Sequence, residues 1–205
     1  MAARRTERTV VRLSAYVDPS RVPSLVMIDL QQEYVSAPRL LAVPGAEQAL
    51  ANCVAALAHA RAIGIPIAFT RQVRAAPFFN KATRFSHWID GVGPSPTDMV
   101  FERDRPSCYA SERFSEMMEL AGNGNLVIAG FAGETACLAT AIDAYHRGHR
   151  VTFLSDASAS HGLGGIEASD IHRSVTALIG LYANVATTRE WIAELSVADA
   201  AREGG

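Results

Sequence analysis

The chain has 205 residues and a mass of 21.9 kDa, a size suited to one sizeable core. Its 49% apolar and 20% charged residues are ordinary for a globular protein in water, and a net charge of −2 gives no footing for nucleic acid or an anionic membrane as partner. Three cysteines at unrelated spacings (Cys53, Cys108 and Cys137) exclude a disulfide framework or a zinc ribbon, and neither a bilayer-length apolar run nor a signal-peptide pattern is present, so a reducing cytoplasm is the expected setting.

Residues 1–22 read as an N-terminal arm, with four arginines before position 13 and little apolar content, too short and too weakly amphipathic for a presequence. The domain is expected over 23–196, with a tail at 197–205. Ser24 to Ile28 is a buried strand ending at Asp29. Pro44 then opens a helix whose apolar positions run from Ala46 to Leu57 at helical spacing, closed by Gly64. Ile65 to Thr70 is the next strand and leads into Arg71, Gln72 and Arg74. Residues 75–97 hold no sustained period and read as a long functional loop, a candidate lid.

Met99 to Glu102 reads as a short strand, and Ser111 as the N-cap of a helix with Phe114, Met117, Met118 and Ala121 on its apolar face. Leu126 to Gly130 and Val151 to Leu154 are continuous apolar runs flanking a helix that ends at Gly148, the pattern of a βαβ unit. Ile166 to Tyr182 forms a further amphipathic helix, Val185 to Thr187 a last short strand, and Trp191 to Leu195 a terminal turn or two of helix. Strands alternating with helices predict an α/β fold with a mostly parallel sheet of about six strands.

Such sheets place their chemistry at the carboxyl ends of the strands, where loop N–H groups and helix dipoles converge. Asp29, Gln72 and the 131–137 loop all fall there. Asp29 suits a general acid or base, although a turn-capping aspartate would look the same. Cys137, near a helix amino terminus, is placed where a dipole would lower its pKa; a small core residue is the plainer alternative, to which Cys53 and Cys108 are assigned. His146 and His149 lack companions for a metal site, and His161 with Asp156 is no triad by spacing alone. Nothing resembles a nucleotide-phosphate loop. Arg71, Arg74, Arg84, Arg103 and Arg105 suit a substrate carrying carboxylates.

The segments LVMIDLQQEYV (25–35), IPIAFTRQ (65–72), VFERDRPSCYASERF (100–114) and LVIAGFAGETACLATAIDAYHRGHRVTFLSDASAS (126–160) together resemble the isochorismatase-like, or cysteine hydrolase, superfamily. The resemblance runs in order from about Ser24 to Trp191. It implies a three-layer α/β/α sandwich around a Rossmann-like sheet, a small-molecule hydrolase without a cofactor, and a homo-oligomer. It also implies a site of aspartate, lysine and usually cysteine. Asp29 matches the aspartate. The lysine position, four residues before Ser107, is Arg103 here. The nucleophile position, counted from Gly130 or from Asp143, is Ala136, which leaves Cys137 one residue late and turned by about 100° along a helix.

Relatives that hydrolyse the vinyl ether of isochorismate also lack the cysteine, and carry a glutamine matching Gln72. The resemblance therefore favours hydrolysis of a small anionic substrate with Asp29 as acid/base, Arg103 holding negative charge, and substrate contacts from Gln72, Arg71, Trp88 and Ala136. A cysteine amidohydrolase using Cys137, with an oxyanion hole of N–H groups around Ala136 and Cys137, is the first alternative. A catalytically degenerate binding protein is the second. The zinc-binding pattern of some relatives is missing from TRQVR at 70–74, so no metal is expected.

Overall fold

The computed structural model describes residues 24–75, 77–120 and 125–203, the last eight by backbone alone. The arm expected at 1–22 lies outside the described residues. Six strands, β1 (Ser24–Ile28), β2 (Ile67–Gln72), β3 (Met99–Arg103), β4 (Asn125–Gly130), β5 (Arg150–Ser158) and β6 (Asn184–Ala186), form one sheet in the order β3-β2-β1-β4-β5-β6. Every pairing is parallel. Among the described residues five helices accompany them, four between strands and the last after β6: α1 (Ala46–Ile63), α2 (Glu112–Leu120), α3 (Leu138–His146), α4 (Ala168–Ile179) and α5 (Thr188–Glu203).

A parallel sheet must be covered on both faces, and the alternation of side chains along β1 shows how this chain does it. Leu25 and Met27 join α1 and Trp191 of α5 in one core; Val26 and Ile28 join Phe114 and Met118 of α2, Ala141 and Ala144 of α3, and Val175 and Ile179 of α4 in the other. The result is the expected three-layer α/β/α sandwich. Gly45 and Gly64 bracket α1 with left-handed backbone, and Gly64 N–H bonds the Ala60 carbonyl, the glycine stop that the sequence announced.

Two departures matter for function. Strand β5 continues to Ser158, well past the expected Leu154, because the small residues Ser155 to Ser158 conceal a strand that bulges against β4 and still pairs Gly130 with Ser158. Its extension delivers Ser160 and His161 to the carboxyl edge of the sheet. The 75–97 segment is a loop as expected, but it is pinned rather than free. Ile89 N–H bonds the Leu30 carbonyl at 2.8 Å, Trp88 bridges to Gln31, and Phe79 is buried against Tyr34. At the other end of the chain, α5 carries on through 197–203 as helix.

Candidate active site

The parallel register brings three strand ends together. Gln72 of β2 stands beside Arg103 of β3, and Asp29 N–H, just past β1, bonds the Thr70 carbonyl at 2.8 Å. Asp29 adopts a left-handed φ of 50°, unusual for a residue with a side chain, which turns the chain sharply at the sheet's mouth. Its Oδ2 accepts a hydrogen bond from Arg103 Nη2 at 2.9 Å, and both side chains are 0% exposed. The second carboxyl oxygen, Oδ1, is buried without a hydrogen-bond partner among the described residues.

Burial pushes the Asp29 carboxyl above its ordinary value, outweighing the guanidinium of Arg103 and the backbone N–H of Gln72, which pull it down. The Asp29 charge in turn raises Arg103, whose Nη1 also bonds the Arg105 carbonyl at 2.9 Å. Cys108 lies close enough to add to that effect and sits 3.2 Å from Thr70 Oγ1, so a thiol that reads as mere core in the sequence borders the site. Gln31, also absent from the sequence-based site, holds the mouth together: Oε1 accepts from Gln72 N–H, and Nε2 donates to the Gln72 and Ser86 carbonyls, all at 3.0 Å.

The loop between β4 and α3 is built on Gly130. At its φ of 119° a Cβ would stand 2.0 Å from the Ile28 carbonyl oxygen, so only glycine lets the loop cross β1 this closely. Gly133–Cys137 then form a π-type turn in which the Ala132 carbonyl accepts from Thr135, Ala136 and Cys137 N–H at 3.2, 3.0 and 3.3 Å. Those N–H groups are spent within the turn, so the oxyanion hole expected around Ala136 and Cys137 is not open. Cys137 is fully buried, with Sγ 3.5 Å from the Gly130 carbonyl and 3.7 Å from Ser158 Oγ. Burial raises its thiol well above the usual range, against the lowering expected from a helix dipole. Ala136 packs in the same core cluster.

A pocket of about 580 Å³ opens at this edge, lined by Gln72, Arg74, Tyr34, Phe79, Glu134 and His161 among others. Tyr34, nearly buried, connects it to the aspartate: its hydroxyl lies close enough to Asp29, Arg103 and Glu134 for their charges to act on it. A larger hollow of about 710 Å³ lies at the amino edge of the sheet, near Asn125, Arg150 and α5. Chemistry in such sheets belongs at the carboxyl edge, where Tyr34 and Gln72 of the smaller pocket adjoin the buried Asp29–Arg103 pair, so the smaller pocket is the candidate site.

Arg71 and Trp88 are not among the pocket residues. Strand alternation turns Arg71 to the face opposite Gln72, where it bonds Glu102 at 2.6 Å and stands over the Trp88 ring; Trp88 itself packs edge-on against Phe69. Arg84 stacks on Phe85 and Arg105 is exposed beside Asp104. Of the five arginines expected to greet an acidic substrate, only Arg74 lines the pocket. With the Gln72 amide turned to satisfy its neighbours, Oε1 accepts from Arg74 Nη2 and Nε at 2.5 and 2.6 Å. Asp156 accepts from Thr188 N–H and Oγ1 at the start of α5 and forms no triad with His161. Among the described residues, no group of three or more His, Cys, Asp or Glu side chains could hold a metal ion, and no helix is long and apolar enough to cross a membrane.

A profile described as Isochorismatase domain matches residues 23–190. The chain is 26% identical over 149 residues to a secreted isochorismatase effector of Verticillium dahliae, covering 72% of this chain and 77% of that protein. It is 30% identical over 158 residues to the streptothricin hydrolase of Streptomyces noursei, covering 76% of this chain and 55% of that one. The crystal structure of an isochorismatase from Pseudomonas putida superposes with a TM-score of 0.76 at 29% identity, covering 84% of this chain and 91% of that chain.

Proposed function

Because the chain belongs to the isochorismatase family of hydrolases, we propose that it hydrolyses a small molecule by acid/base catalysis at Asp29, without a covalent cysteine intermediate. The observation that carries this reading is the Asp29 carboxyl itself: raised above its ordinary value by burial, held on one oxygen by Arg103, and unpartnered on the other. A carboxylic acid poised in this way can protonate a vinyl-ether carbon. Water adds to the resulting oxocarbenium carbon and loses a proton to Asp29, and the hemiketal then breaks its C–O bond. Arg103, bonded through Nη2 to Asp29 and through Nη1 to the Arg105 carbonyl, acts as a positioning residue for the acid. Gln72, itself fixed by Gln31 and Arg74, orients substrate or water.

The cysteine amidohydrolase reading loses support on two counts: the Cys137 thiol is buried against Gly130 and Ser158 with its pKa raised, and the turn N–H groups are already bonded. One observation favours a binding protein without turnover. Asp29 is fully buried and adjoins the pocket only through Tyr34 and Gln72. The test is a pair of variants assayed on vinyl ethers, amides, imides and ureido acids. Asp29→Asn is expected to lower kcat at least about 10²-fold, the lower end of general acid–base contributions, while Cys137→Ala keeps most of the rate. The opposite pattern removes the proposal, and wild-type binding with no turnover replaces it with the binding-protein reading.

A further inference from the structure

The pocket wall carries a second buried carboxylate that the acid/base reading does not use. Glu134, in the π-type turn, lines the pocket with a side chain only 7% exposed, and its Oε1 lies 2.7 Å from Nδ1 of His161. The other imidazole nitrogen, Nε2, lies 3.1 Å from the Leu41 carbonyl oxygen. A carboxylate and a carbonyl both accept, so His161 donates from both nitrogens and is held as an imidazolium. The hydrogen bond to Glu134 raises the imidazole pKa in the same sense. With both protons of His161 engaged, nothing is left for the second oxygen: Glu134 Oε2 is buried and has no hydrogen-bond partner among the described residues.

A buried carboxylate oxygen without a donor is costly, and it can be satisfied only by a group that brings one. The nearby cations do not serve. Arg103 is tied to Asp29, and Arg74 is bound to Gln72 and the Asp104 carbonyl. Much of the remaining lining is apolar, including Leu41, Pro44, Leu163 and two aromatic rings, with the Tyr34 ring 6.1 Å from His161 and 5.4 Å from Phe79. A buried carboxylate without a second donor, in a largely apolar pocket that also holds aromatic rings, is the chemistry that receives an N–H-bearing cation.

We propose that the Glu134 wall of the pocket binds a cationic nitrogen group of the substrate, an ammonium, amidinium or guanidinium, with His161 holding Glu134 in position. The proposal rests on the hydrolase reading only in that both use the same pocket. It turns the expected substrate around: the end that meets Glu134 is a donor, and an acidic group, if the substrate has one, belongs toward Arg74.

The test measures binding rather than turnover. Methylguanidinium, acetamidinium, acetone and acetate are titrated into the protein at equal ionic strength, and backbone amide shifts are followed by NMR. The two cations are expected to saturate with shifts centred on residues 131–137 and 159–163, while acetone and acetate leave that cluster unmoved. Glu134→Gln is expected to weaken the cations about tenfold or more, the worth of one charge-assisted hydrogen bond. Asp29→Asn is expected to keep cation binding, so retained turnover in that variant counts against the acid/base reading alone. Equal binding of acetone or acetate in this cluster by the wild type overturns the proposal even if Glu134→Gln fails to fold, and so does unchanged cation binding in a folded Glu134→Gln protein.

Discussion

The floor beneath the pocket, behind Tyr34 and Gln72, and the pocket's Glu134 wall each bury one carboxylate against one base, and the two pairs are built to different ends. On the floor, Asp29 and Arg103 are both fully buried, and a guanidinium stays charged at any working pH. The variable member is the acid, whose proton is favoured by burial in spite of its partner. On the wall, Glu134 is nearly buried while His161 keeps 18% of its side chain exposed. There the variable member is the base. Among the described residues, each site leaves one carboxyl oxygen without a hydrogen-bond partner. The same functional group thus becomes a proton source at one position and an anchor at the other, according to whether its partner can titrate.

The comparison breaks most sharply at Arg103. Arg103→Met leaves Asp29 buried without a countercharge and is expected to cost about 3–5 kcal/mol at neutral pH. The loss should shrink in acid, where Asp29 takes a proton, and urea unfolding at two pH values reads both effects. A change below about 1 kcal/mol would mean that the floor pair behaves like an exposed one.

The wall pair should respond to pH in the way its base dictates. The folded pKa of His161 is raised above its ordinary 6.5, so the imidazolium is favoured in the native state. Its contribution to stability is complete below the unfolded value and is lost as pH rises through the folded one. The difference in urea midpoint between the wild type and His161→Gln is therefore expected to be largest in acid and to narrow above pH 6.5. A difference that grows with pH would assign the neutral tautomer instead.

The smallest effect belongs to a pair outside the pocket. Glu102 bonds both Arg71 and Lys81 on the exposed face of β3, and these partners lower its pKa. Glu102→Gln should change stability by about 0–1 kcal/mol, with the remainder screened by salt. If it matched Arg103→Met, burial would not be what separates the floor pair from the surface.

Much of this architecture could be read along the chain. Each buried strand announces itself as a short apolar run, and Pro44, Gly64 and Gly148 punctuate the helices. Asp29, Gln72 and Arg103 could be assigned to one edge because parallel strands end on the same side. The pairing of Glu134, in the 131–137 loop at that edge, with His161 could not. They lie 27 residues apart, in a turn and beyond a strand whose last residues look like loop, and no local pattern marks either. The one available signal was the continuation of β5: had Ser155 to Ser158 been read as strand, His161 would have fallen at the carboxyl edge. Arg71 and Trp88 failed in the opposite way, close in sequence to the site but turned from it by strand alternation.

The sequence by itself determined the α/β/α layering and the edge at which chemistry must occur, because both follow from local periodicity and the direction of the strands. Only the tertiary structure decided which charges remain available at that edge. Availability is a matter of burial and partner: it took the packed fold to tie Arg103 to Asp29, turn Arg71 to the surface, seal Cys137 into the core and leave one oxygen of Glu134 without a donor.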